Sequence, residues 1–555
     1  MLKWLFSKAK KLILPKNKNN KKKQKKDYLT KQIAIPYFLL TILAMAAHGA
    51  VANMGSLEYI FPDMPAPISF EAGRAVHLNL SLFWPVFGLI GAVYYFLPEE
   101  AETELHSPLL ALIQLGLMVV VGLGIVISLA FGLTEGREYL EAVRPFDVGI
   151  LIILVMFSYN VIRTVIKSKH QTNRPTLVLM AFSLVLMIFL FIPTMFFLGS
   201  IILDEIFRWW VVHLWVETSM QLIAAAIIAA FLIYITSVKR KIIYFWLYVE
   251  AVLVLIAGFF ATGHHYLWIG TPGYWFTIGG IFGALQPVPI FIIAYTAYKS
   301  ISTGIPVQHH RWPLYFIFNA VFWNIVGAGL FGLVLTVPAI NAYTHGTLIT
   351  SAHAHLALFG TFGILAIAVS YFGILEWIGD KYINKSYSFA SLLMLNIGLV
   401  LMGVALILAG FVQIYLVRVV GMEFSQSLFY LRPYMAARGI GGAIFALGGI
   451  VFAGHLFYGI IKAAPSFKLV AILKGAKAAQ DKLKGDKSQG GQGTKCGEEN
   501  KGAQGGKKGN KKTNTNQQEK GQPKSSNQWD KKESKKSLMR NYPPRKVVFR
   551  FKDFK

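Results

Sequence analysis

Long apolar stretches separated by short polar clusters dominate this chain. About twelve of them hold some 20 or more residues, near 33–53, 76–98, 109–133, 147–166, 175–199, 209–236, 241–262, 273–299, 312–336, 348–372, 387–415 and 433–463. A helix rises about 1.5 Å per residue, so each run is long enough to cross a hydrocarbon core about 30 Å thick. A helix also satisfies its own backbone in lipid. The pattern predicts an all-α polytopic membrane protein with about twelve transmembrane helices.

The polar clusters set its orientation. KNKNNKKKQKK near the start, KSKH after the fourth run, SVKRK after the sixth and the tail are basic and fall on one side. By the Lys/Arg bias that side is cytoplasmic, so both termini are expected there. PEEAETE after the second run is acidic and falls on the same side, which the rule tolerates because acids weigh little in it. Three segments follow: a basic N-terminus over 1–32, a catalytic membrane domain over 33–463, and a tail over 464–555. The tail is Lys/Gly-rich and lacks the apolar content for a core, so a solvated, disordered cytoplasmic segment is expected.

Composition agrees with the pattern. The chain is 55% hydrophobic and 15% charged, with mean hydropathy +0.50, which excludes a soluble globule. The net charge of +28 sits mostly in the two ends and does not argue for nucleic acid. The single cysteine, Cys496, allows no disulfide framework and no Cys-x-x-Cys-His haem attachment. The apolar patch LKWLF is too short for a signal peptide, so no cleavable leader is expected.

Six histidines change the picture: His77, His213, His264, His265, His353 and His355. Each lies near the outer end of an apolar run. Imidazoles in a membrane are costly and face the bundle interior, so six at one depth read as a metal and haem site. His353 and His355 are two positions apart, roughly 200° around a helix, so they serve opposite faces. His77 is at the same depth and supplies a second axial ligand to one haem, making it a six-coordinate electron carrier. The other haem keeps one protein ligand and an open face. His213 and Glu217 share a face at i,i+4. With His264 and His265 they offer three imidazoles and one hard carboxylate, a set that favours non-haem iron over copper. His345 and Arg74 are candidates for haem-propionate contacts. The remaining histidines, His48, His106, His170, His309, His310 and His455, read as hydrogen-bonded interior or interfacial residues.

The motifs RAVHLNLSLFWPVFGLIGAVYYFLPEEAETE, GREYLE, VHLWVE, TGHHYLWIGTPGYW and THGTLITSAHAHLALFG occur in order over about residues 33–460. Together they resemble the haem–copper oxidase superfamily, and within it the catalytic subunit of nitric oxide reductase. The resemblance implies a subunit I-like bundle with His77 and His355 on a low-spin haem b, His353 proximal to a high-spin haem b3, and His213, His264, His265 and Glu217 on non-haem iron. It also implies Ca2+ at Glu138. Where an oxygen-reducing relative often has a cross-linked tyrosine four residues after a copper-ligand histidine, this chain has Glu217. Where the cytochrome-c-dependent reductases carry two further glutamates, it has Gln221 and Gln286. The expected activity is reduction of NO to N2O in a bacterial or archaeal cytoplasmic membrane, with a terminal oxygen reductase as the alternative. A haem-bearing gas sensor or non-catalytic electron-transfer subunit is disfavoured, because it would leave Glu217 and three histidines without a use. Lacking a cytochrome c motif or cupredoxin ligands, the chain implies a separate small electron-donating subunit of either kind. Few acids lie below the site, so protons are expected from the outer side, past Glu138 and Glu141.

Overall fold

The computed structural model describes residues 28–463, apart from 64, 66, 67, 172, 237 and 303–310. The chain divides into two units, Met1–Asp481 and Lys482–Lys555. The second unit, most of the basic N-terminus and the tail expectation lie outside the described residues, as do His309 and His310.

Among the described residues, twelve helices are long and apolar enough to cross a membrane: α1 Leu29–Ile60, α2 Phe70–Ala101, α3 Pro108–Ala130, α4 Arg144–Lys167, α5 Pro175–Met195, α6 Ile201–Thr236, α7 Arg240–His265, α8 Gly273–Ser302, α9 Arg311–Thr336, α10 Leu348–Ile378, α11 Lys385–Val419 and α12 Phe424–Ala463. Their number agrees with the apolar pattern, but several reach past the apolar runs. α1 starts at Leu29 rather than 33, α6 at Ile201 rather than 209, and α12 at Phe424 rather than 433. The extra turns carry polar or charged side chains that find partners. In α6, Arg208 pairs with Asp204 at 3.3 Å and Glu205 at 2.7 Å. Arg137 reaches the same Asp204 at 2.6 Å from the α3–α4 loop. A helix so tied continues beyond the apolar segment that hydropathy marks.

Between helices in lipid, close packing does the work that the hydrophobic effect does in water, and small residues permit it. Gly398 on α11 shows how close: a Cβ there would stand 2.6 Å from the Gly441 carbonyl oxygen of α12. α2, α6 and α10 are the most enclosed of the twelve. They are also the helices that carry His77, His213 with Glu217, and His353 with His355.

Candidate metal and haem centre

Local winding places the site's side chains. α6 runs as π-helix over Trp210–Met220, the segment holding His213 and Glu217. α10 switches to π-helix at His355, over His355–Gly363, and α9 does so over Asn324–Leu330. Such wide turns are rare and cluster at functional sites. Nothing in the apolar periodicity foretold them.

His213, His264 and His265 are buried, and one ring nitrogen of each lies within 4.8 Å of the others. His213 Nδ1 is 3.1 Å from His265 Nε2, and Trp209 stacks on His265 with centroids 3.5 Å apart. Glu217 closes the group, with Oε2 3.5 Å from His213 Nε2 and Oε1 3.9 Å from His353 Nε2. His213 Nε2, His264 Nδ1 and His265 Nδ1 are buried without a hydrogen-bond partner among the described residues. Buried polar atoms without partners are expensive, so unpartnered nitrogens on three clustered imidazoles fit a bound cation better than an apolar core. The donor set suits a divalent metal.

His353 faces this cluster in a fixed tautomer. Its Nδ1 lies 3.0 Å from the Gly327 carbonyl oxygen, which can only accept, so Nδ1 carries the proton and Nε2 is free to ligate. His355 is held in the same way by the Ser351 carbonyl at 2.7 Å. Its ring sits on the other side of α10, 6.0 Å from the His77 ring. A cavity opens there, lined by His77 and His355 together with Met45, Asn53, Phe359 and Arg438. Two imidazoles whose free nitrogens meet at an apolar cavity fit a bis-histidine haem. His48 also enters this group. Its Nε2 is 2.8 Å from His77 Nδ1, and its Nδ1 accepts from the Trp84 indole at 3.2 Å. As a buried, hydrogen-bonded histidine it fits the sequence reading, but that reading did not tell that its partner is His77.

At the histidine-bearing end of the bundle, Arg74 pairs with Glu138 at 2.5 Å and lies 4.0 Å from Glu141. Glu138 is half exposed and engaged by that guanidinium, which a calcium ion would have to share. Glu141 is buried and takes hydrogen bonds from Tyr139 N and Asn79. Burial, above all else, pushes its carboxyl above the usual range and pushes the Tyr139 hydroxyl up to about 12. Tyr139 packs on Trp209, and His345 lies 5.9 Å from His265, ring to ring.

The two glutamines are at the site. Gln286 Nε2 is 3.4 Å from the Glu217 carbonyl oxygen. Gln221 is buried, accepts from Asn324 at 3.1 Å and donates to Glu250 at 3.0 Å. Glu250 is fully buried on α7 and was missed in the sequence reading. The signal was available: an acid in the middle of an apolar run, in WLYVEAVL, is a functional candidate by default.

Among the described residues, twelve membrane helices enclosing one group of buried imidazoles and a second of partly buried ones define a multi-pass membrane protein built for redox chemistry. Residues 32–444 match the family described as cytochrome C and quinol oxidase polypeptide I. A nitric oxide reductase subunit of Stutzerimonas stutzeri is 30% identical over 454 residues, covering 77% of this chain and 94% of that one. Cbb3-type cytochrome c oxidase subunit CcoN1 of the same organism is 23% identical over 492 residues, covering 79% and 96%. A solved haem–copper terminal oxidase dimer has the same fold, with a TM-score of 0.63 at 15% identity over 80% of this chain and 85% of that one. The chain belongs to the haem–copper oxidase subunit I family, and it is an oxidoreductase of that family.

Proposed function

We propose that this chain is the catalytic subunit of a nitric oxide reductase. Glu217 carries the reading: a carboxylate stands among three imidazoles, 3.5 Å from His213 Nε2 and 3.9 Å from His353 Nε2. A hard oxygen beside imidazoles favours iron over copper. The 30% identity to the Stutzerimonas stutzeri nitric oxide reductase chain supports the same assignment. His213, His264, His265 and Glu217 would hold non-haem iron, His353 a high-spin haem b3, and His77 with His355 a low-spin haem b. When bound, these irons bind NO and pass in the electrons that a separate donor subunit supplies. The chain's own part is to hold that set in place, fix the tautomers of His353 and His355, and bring in protons. Both termini lie on the cytoplasmic side in this reading.

Oxygen reductases are also relatives, and an oxygen-reducing activity is the alternative. Metal analysis with NO and O2 turnover on the purified complex separates the two. The proposal expects iron without copper and N2O as product; copper in stoichiometric amount with O2 as the faster substrate would overturn it. Glu217→Ala should lower NO turnover by about 10²-fold or more and deplete non-haem iron with both haem spectra kept. A variant with full iron and full activity would remove the carboxylate from the ligand set.

A further inference from the structure

NO reduction consumes protons, and two polar side chains near Glu217, Gln221 and Gln286, are amides. Neither amide exchanges protons near neutral pH. Glu250 lies on the other side of Gln221 from Glu217. It is fully buried, and its Oε1 accepts from the Gln221 amide at 3.0 Å. Its Oε2 has no hydrogen-bond partner among the described residues, and no cation among them lies within ion-pair distance. An ionised carboxylate so placed would be far more costly than the neutral acid.

The neighbouring buried hydroxyls share this lack. Thr218 Oγ1 and Ser219 Oγ have no partner among the described residues either. Thr218 Oγ1 presses on α7 at Gly258, where an added Cβ would fall 1.8 Å from it. Gly258 is eight residues beyond Glu250, about 12 Å along the helix toward His264. Thr218 is also the residue next to Glu217. Two buried, unsatisfied polar atoms, Glu250 Oε2 and Thr218 Oγ1, therefore mark the α6–α7 seam from Glu250 toward the metal centre, with Ser219 Oγ beside Thr218 in sequence. Groups of this kind are normally satisfied by ordered water.

We propose that Glu250 is the proton-relay residue of this subunit, delivering protons along the α6–α7 seam to the centre formed by His213, His264, His265, His353 and Glu217. This rests on reading that centre as the place where a gas is reduced. In the reaction, two NO, two electrons from the donor subunit and two protons give N2O and one water. An N–N bond forms, one N–O bond breaks, and the protons end on the departing oxygen. Glu250 releases its O–H proton toward Thr218 and is reprotonated from water on the Arg240 side of the membrane. Gln221 holds the carboxyl in place and carries no proton itself. The source is therefore opposite to the outer route expected from the sequence.

The test uses the purified holoenzyme as wild type, Glu250→Gln and Glu250→Asp. Glu250→Gln should keep haem spectra and iron content and lose turnover roughly 10²-fold, at the low end for a positioned proton donor. Glu250→Asp, which keeps an acid, should recover a substantial part. Infrared difference spectra on reduction should show a protonated-carboxyl band that shifts in D2O and is missing from Glu250→Gln. Full turnover in Glu250→Gln, or loss of haem or iron in it, would overturn the relay. If wild type reduces O2 rather than NO, the NO reading fails while the same comparison still tests Glu250, since that reaction also consumes protons. If wild type reduces neither gas, the infrared band alone decides, and its absence overturns the proposal.

Discussion

His353 and His355 stand two positions apart and answer to different neighbours, one to Glu217 and the other to His77. That division was legible in the sequence because a helix turns by a fixed angle per residue. The six site histidines were legible for a similar reason: imidazoles are conspicuous in apolar runs. His48 was not, because its meaning lies in a contact across two helices. Trp84 can only donate, so His48 accepts at Nδ1, and a neutral His48 must then donate from Nε2 to His77 Nδ1. In the proposed low-spin haem site, a His77 that ligates iron while accepting at Nδ1 would have imidazolate character, which would favour the oxidised iron. His48→Leu should raise the low-spin haem potential by roughly 60–130 mV, the equivalent of one charge-assisted hydrogen bond. His48→Gln, which can still donate, should restore most of the shift. A redox titration in which both variants match wild type would show that His48 does not act on His77.

Helix count and order followed from hydropathy, while the π-windings and the closeness of helix pairs did not, since both depend on how neighbours pack. Gly327 shows what is at stake between α9 and α10. Its carbonyl fixes the His353 tautomer, and a Cβ at this position would lie 2.7 Å from the Leu356 carbonyl oxygen. That obstacle is backbone on a buried helix and cannot swing aside. Gly327→Ala should therefore push α9 from α10 and misdirect His353, at a cost of about 1–3 kcal/mol for overpacking. The high-spin haem signal should fall while the low-spin signal from the other face of α10 persists. Equal loss of both signals would mean that the two helices transmit the strain to His355 as well, and an unchanged spectrum would show that the gap can open freely.

Across the whole membrane domain, charged groups gather at the two ends of the bundle, and the end away from the histidines explains an oddity of the sequence. PEEAETE broke the Lys/Arg pattern there. In the fold its acids are matched by basic or polar groups from three other places: Glu99 with Lys31 at 2.9 Å, Glu100 with Arg240 at 2.9 Å, Glu102 with Arg174 at 2.5 Å, and Glu104 with the Thr30 hydroxyl at 2.6 Å. The acidic run therefore ties α1, α2, α7 and the α4–α5 loop together. Charge counting along the chain treats each loop alone and cannot see this. Glu102 allows a test. The hydrogen bond from Arg174, the largest influence on it, holds its carboxyl below the usual range, with His170 adding to the effect. A depressed folded-state pKa stabilises the fold above the unfolded value, about 4.3 for a glutamate, and the gain is lost as pH falls through the lower folded value. Wild type should thus melt above Glu102→Gln at pH 6–7, and the gap should close as pH drops below about 4. Glu102 is nearly half exposed, so about 1 kcal/mol at most is at stake, and added salt should shrink it. Thermal melts of both proteins in the same detergent over that pH range measure the difference. A gap that stays constant down to acid pH would assign the Glu102 contribution to packing and not to its charge.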